Sequence, residues 1–100
     1  MNIIKDLNGD EAVLRVDGWL DTQTSPELLS AIEGLGDTVT SLTLDFSGLE
    51  FISSAGLRVI LIATKKMKGA LVIKNVSARI MSIFQDYGLG SKHKARMMTE

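Results

Sequence analysis

Ser53 and Ser54 stand where an apolar run ending in Phe51-Ile52 passes through Ser53-Ser54-Ala55-Gly56 into a long aliphatic stretch. A hydroxyl at such a junction faces the start of a helix. Its unpaired N–H groups and positive dipole end serve that hydroxyl in two ways. Either serine can cap the helix by accepting an amide bond, and the same groups welcome a phosphate carried on the hydroxyl. Two further candidates, Asp21 and Asp45, lie at the ends of apolar segments, where a carboxylate can orient a hydroxyl, help hold a metal or close a turn. Turn chemistry suffices for both aspartates, because an autonomous carboxylate enzyme needs more supporting groups than these two supply.

Composition narrows the field further. At 100 residues the chain has room for one domain with a real core but not for a catalytic domain plus a separate substrate domain. A net charge of −1 offers no overall electrostatic grip on nucleic acid or anionic lipid. The absence of cysteine removes disulfides, thiolate catalysis and cysteine metal sites. His93 is the only histidine and sits in a basic stretch, so it reads as a solvated residue. The glycines form neither a dinucleotide fingerprint nor a P-loop. Trp19 lacks repeating basic and aromatic neighbours and reads as a packing residue near a turn, not as a base-stacking platform. The N-terminus has neither a basic lead nor an apolar run, and the longest apolar stretch, residues 59–63, is too short for a bilayer. The expectation is a cytoplasmic protein that is not an enzyme, holds no cofactor or metal, binds no nucleic acid and does not insert into membrane.

The elements that must position these side chains follow from periodicity. Residues 3–7 and 12–16 read as strands joined through Asn8-Gly9-Asp10, a hairpin signal. Thr24-Ser25-Pro26-Glu27 has capping-box spacing and opens an amphipathic helix with Leu28, Leu29, Ile32 and Leu35 on one stripe, ended by Gly34 or Gly36. Residues 41–46 alternate as a strand, residues 54–68 form a long helix with Lys65, Lys66 and Lys68 near its end, and Gly69 stops it. Residues 71–74 are a further strand. Ser77 caps a third helix whose face carries Ile80, Ile83, Phe84 and Tyr87, ending at Gly88-Leu89. The order strand, strand, helix, strand, helix, strand, helix predicts an α/β domain over residues 1–90: a mixed sheet of four to five strands with three helices mainly on one face. Residues 91–100 read as a basic tail or a final edge strand.

Three segments in this order, Gly18-Trp19-Leu20-Asp21 with Thr24-Ser25-Pro26-Glu27-Leu28, then Leu44-Asp45-Phe46-Ser47, then Phe51-Ile52-Ser53-Ser54-Ala55-Gly56-Leu57-Arg58-Val59, resemble the STAS domains. That family includes the bacterial anti-sigma-factor antagonists and the cytoplasmic domains of sulfate transporters. The resemblance implies the STAS fold and, in the antagonist branch, phosphorylation of the serine before the small residue and glycine. That position is Ser54, with Ser53 as the competing acceptor. Some members carry aspartate where this chain has Ser53. The resemblance further implies partner switching. An anti-sigma factor that is a serine kinase phosphorylates the serine and a metal-dependent serine phosphatase reverses it. The unphosphorylated protein, a monomer when free, binds the anti-sigma factor and releases the sigma factor. Asp21 and Asp45 correspond to acids near the phosphorylation site.

On a helical wheel, Leu57, Ile60, Leu61 and Thr64 share one side, leaving Val59 and Ile62 near Arg58 on the other. That second side is either further core or a partner patch beside Ser54. The partner-binding set expected from both lines is Asp21, Thr22, Ser53, Ala55, Gly56, Arg58, Val59 and Ile62. Two rival functions remain at this stage: a constitutive STAS scaffold, such as an accessory subunit of a regulatory or lipid-transport assembly, and a nucleotide- or small-ligand-binding module using the same helix start.

Overall fold

A computed structural model describes residues 1–86 and 96–99. Strands β1 (Asn2–Asn8) and β2 (Glu11–Leu20) form the expected antiparallel hairpin. Asn8 pairs with Glu11, so the connection is Gly9-Asp10, and Gly9 at φ +64° supplies the left-handed conformation that a two-residue turn needs.

Helix α1 (Ser25–Glu33) follows, then β3 (Ser41–Asp45), β4 (Leu49–Ile52), α2 (Ser54–Lys66), β5 (Leu71–Val76), α3 (Ala78–Asp86) and β6 (Arg96–Thr99). The main sheet runs β1-β2-β3-β5-β6, antiparallel between β1 and β2 and parallel elsewhere. The α/β class, the mixed five-strand path and the three helices agree with the sequence expectation. Strand β4 corrects it. Its four residues, Leu-Glu-Phe-Ile, are too few to display alternation and carry no element in the sequence pattern, but they pair with the last residues of β2 beyond the point where β3 has ended. Strand β6 is parallel to β5. Residues 91–95 with His93, and the proposed helix end at Tyr87, Gly88 and Leu89, lie outside the described residues.

Registry explains where the core sits. Ala12, Leu42 and Leu71 stand opposite one another, as do Leu14, Leu44 and Ile73, and all six are buried. The alternate row of Arg15, Asp45 and Lys74 is open to solvent to varying degrees. One sheet face is therefore apolar and the other wet, and the buried residues of the helices, including Leu28, Ile32, Ile60, Ile80 and Phe84, complete the apolar side.

The helix ends follow local chemistry. Gly34 is the C-cap residue of α1. At the end of α2 the chain reverses through Lys68 (φ 54°) and Gly69 (φ 86°), and the Gly69 N–H donates to the Thr64 carbonyl at 3.1 Å. Ser77 caps α3 as expected, its Oγ accepting the Ile80 N–H at 3.2 Å.

Candidate functional site

Strand β4 ends at Ile52, and Ser53, with extended backbone, hands the chain to α2. The Ser53 N–H donates to the Leu20 carbonyl at 2.9 Å, tying the start of α2 to the end of β2, and the Ser53 carbonyl accepts the Leu57 N–H at 3.0 Å. Ser53 is thus the N-cap residue and Ser54 the first helical residue. Of the two serines that could have capped the helix, Ser53 therefore takes the cap position. Nor does Ser53 cap by its side chain: no such bond forms, and its Oγ is buried without a hydrogen-bond partner. Ser54 is exposed. No acid occupies the first turn of α2, and Arg58 lies four residues on, along the same helix face.

Close packing holds this turn in place. Gly56 is buried in the first turn of α2, and a Cβ there would lie 2.8 Å from Ile52 Cγ1 and 2.8 Å from Leu20 Cγ. Hydrogen stands in for a side chain because α2 begins directly against the ends of β2 and β4.

The Asp21 segment forms a second fixed turn. Asp21 Oδ1 accepts the N–H groups of Gln23 and Thr24, both at 3.0 Å, and Thr24 Oγ1 accepts the Asp21 N–H at 2.8 Å. The Thr24 hydroxyl in turn donates to the Trp19 carbonyl at 2.7 Å. The capping box expected at Thr24 and Glu27 is therefore displaced three residues upstream, to Asp21 and Thr24, because the Thr24 hydroxyl is committed to β2. Donation from the Thr24 N–H, more than the opposing loss of solvation, holds the Asp21 carboxyl below its ordinary value. Asp45 closes another turn at the end of β3, where its Oδ1 accepts the Ser47 N–H and the Asn75 side-chain amide, each at 3.0 Å. Burial pushes the Asp45 carboxyl up, but the Asn75 and Ser47 bonds together outweigh it, and it too titrates below its ordinary value.

Between α1 and α2 lies a groove of about 200 Å³, lined by Thr22, Ser25, Pro26, Leu29, Ala55, Arg58, Val59 and Ile62. Its walls are apolar apart from the Thr22 and Ser25 hydroxyls and one charged residue, Arg58. Val59 is buried, so this side of α2 is partly core, while Ile62 is 39% exposed at the groove edge.

The family model described as Mlab, STAS domain matches residues 3–99. The chain belongs to the STAS family. Among curated STAS relatives, the Mycobacterium tuberculosis anti-sigma-F factor antagonist RsfB is 42% identical over 77 residues, covering 76% of this chain and 62% of that protein. The chain thus spans less than two thirds of that relative's length. Two solved structures share the STAS fold. An anti-sigma factor antagonist from Mycobacterium paratuberculosis superposes with a TM-score of 0.81 at 21% identity, covering 95% of this chain and 84% of its own. The Bacillus cell fate determinant SpoIIAA in its phosphorylated form gives 0.73 at 22% identity, covering 99% and 93%.

Within this STAS domain the candidate residues fall into three groups. Thr22, Ala55, Arg58, Val59 and Ile62 meet at the groove. Asp21, Ser53 and Gly56 build the turns around it: Asp21 orders the entry to α1, Ser53 links α2 to β2, and Gly56 permits their close approach. Asp45 is engaged with Ser47 and Asn75 at the end of β3. Sequence reasoning missed Ser25 and Pro26 as groove residues, and took Leu29 only as part of the core stripe. Their signal was present in the proline-started amphipathic helix, but the identity of the neighbouring helix was not. Trp19 packs at a tilt against Phe51, with ring centroids 5.1 Å apart, and is 56% exposed. Among the described residues there is no cluster of side chains suited to a metal ion, and no helix is long and apolar enough to cross a membrane.

Proposed function

We propose that this STAS domain is an anti-sigma-factor antagonist working as a phosphorylation-controlled binding switch. Unphosphorylated, it docks an anti-sigma factor serine kinase over the first turns of α2 and the adjoining groove, and the sigma factor is released. Phosphorylation of Ser54 blocks docking, and a metal-dependent serine phosphatase restores it. The protein itself carries out no catalysis.

The observation that supports this reading is the contrast between the two serines: Ser54 is exposed on the first turn of α2, while the Ser53 hydroxyl is buried beside it. A phosphate on Ser54 adds about −1.5 to −2 charges at a helix start with no acid in its first turn and Arg58 one turn further on. The helix tolerates that charge without melting. A partner would have to desolvate it, and binding is lost with the fold intact. The similarity to RsfB adds an independent line.

The test is incubation with the candidate kinase and ATP, followed by mass measurement and mapping of the modified residue. Phosphate on Ser54, none on Ser54→Ala, and loss of the kinase complex in a folded Ser54→Asp variant are expected. Absence of phosphate from both serines together with absence of a complex overturns the proposal. A complex that survives Ser54→Asp points instead to a constitutive scaffold.

A further inference from the structure

The open face of the sheet carries a feature with no part in the switch. Trp19 and Phe51 are register partners on β2 and β4, and their rings pack in a tilted arrangement with an interplanar angle of 42°. Trp19 nevertheless leaves more than half of its surface to solvent, more than any other large apolar residue among those described. Two carboxylates flank the pair. Asp17 precedes Trp19 by two positions on the same strand face, as the burial of Val16 and Leu20 on the alternate face requires. Glu50 immediately precedes Phe51 and is exposed; the register passes from Gly18 opposite Leu49 to Trp19 opposite Phe51, leaving Glu50 as the extra residue of a bulge. Arg15, on the same strand face, is bonded through Nε to Asp17 Oδ1 at 3.0 Å, so these two charges offset each other and Glu50 is the uncompensated charge beside the rings. The patch is therefore aromatic with one free carboxylate, opposite in sign to the groove, where Arg58 is the charged residue.

We infer that the Trp19–Phe51 ridge is a second docking surface, built for a basic segment of a protein partner that lays an arginine side chain on the Trp19 ring. A guanidinium stacks on the indole face and offers its N–H groups to neighbouring carboxylates, a combination that an ammonium matches less well. Tryptophan and arginine are also both enriched among the residues that carry most of the binding energy at protein interfaces. The backbone at this end of β2 is held in place by both neighbouring turns: the Trp19 carbonyl accepts the Thr24 hydroxyl, and the next carbonyl, of Leu20, accepts the Ser53 N–H. The inference does not depend on phosphorylation of Ser54.

The protein's single tryptophan makes the test direct. Hexaarginine is titrated into the unphosphorylated protein at low salt while Trp19 emission is followed, with fluorescein-labelled hexaarginine anisotropy for the variants. A saturable change in Trp19 emission is expected. Loss of the stacked ring in Trp19→Ala should weaken binding at least about threefold, and Glu50→Lys should weaken it by about as much or more. Glu33→Gln, which removes a distant exposed acid of the same charge, should leave binding unchanged. Circular dichroism checks that each variant is folded. No saturable change, an equal response to hexalysine, binding unchanged in Trp19→Ala or Glu50→Lys, or weakening by Glu33→Gln as great as by Glu50→Lys overturns the inference.

Discussion

Asp21 and Thr24 hold each other's backbone: the Asp21 carboxylate accepts the Thr24 N–H at 3.0 Å, and the Thr24 hydroxyl accepts the Asp21 N–H at 2.8 Å. This reciprocal pair orders the turn that leads into α1, across which the Ser25 N–H donates to the Asp21 carbonyl at 2.8 Å. It thereby fixes one wall of the groove beside Ser54.

The pair should behave as a unit. Thr24→Val removes a hydroxyl bonded in two directions and is expected to cost about 1 kcal/mol in urea unfolding. Asp21→Ala is expected to destabilise as well. The double variant should be less unstable than the two single losses added together, and strict additivity would mean that the reciprocal bonds are not coupled.

Acid should weaken the fold through Asp21 and Asp45. Both carboxyls titrate below the ordinary aspartate value of 3.8 in the folded protein, so their contribution is complete above that value and is lost as the pH falls through the folded-state values. Unfolding free energy measured against pH should be flat with respect to these groups above about pH 5 and decline below about pH 4. In Asp21→Asn and Asp45→Asn the decline should be shallower, and an unchanged slope in both would show that these bonds do not set it.

Ser53→Ala should break the usual rule for an N-cap residue. Such replacements ordinarily cost about 0.5–2 kcal/mol. Here the hydroxyl makes no capping bond and is buried unpaired, so stability is expected to stay within about 0.5 kcal/mol of the parent or to rise. A loss of the ordinary size in thermal or urea unfolding would mean that the hydroxyl caps in solution.

Gly56→Ala sets two effects in opposition. Alanine favours a helix over glycine by about 1 kcal/mol, but the added methyl must enter the 2.8 Å gaps to Leu20 and Ile52. Overpacking of this kind costs about 1–3 kcal/mol, so net destabilisation is expected, together with weaker partner binding if α2 shifts to relieve it. A stabilised variant would show that Leu20 and Ile52 repack freely.

Much of the fold was legible in the residue pattern because the signals are local. Alternation along residues 12–16 and 41–46, the Gly9 turn, the proline start of α1 and the Ser77 cap each depend on neighbours a few residues away. Strand β4 was not legible, because four residues carry no visible period and its pairing partner, the far end of β2, lies about thirty residues earlier in the chain. The Thr24 hydroxyl likewise matched a local capping rule but was drawn away by the Trp19 carbonyl, so tertiary position overrode the motif.

Residue types and spacing alone determined that this chain makes an α/β domain with a serine pair at the start of its longest helix, since periodicity and punctuation are properties of short segments. Only the tertiary structure decided how those serines differ. Packing of α2 against the ends of β2 and β4 buries the Ser53 hydroxyl and leaves Ser54 in solvent. Burial and groove formation depend on which distant segments meet, and contacts between α1 and α2 are not encoded in the neighbourhood of either serine.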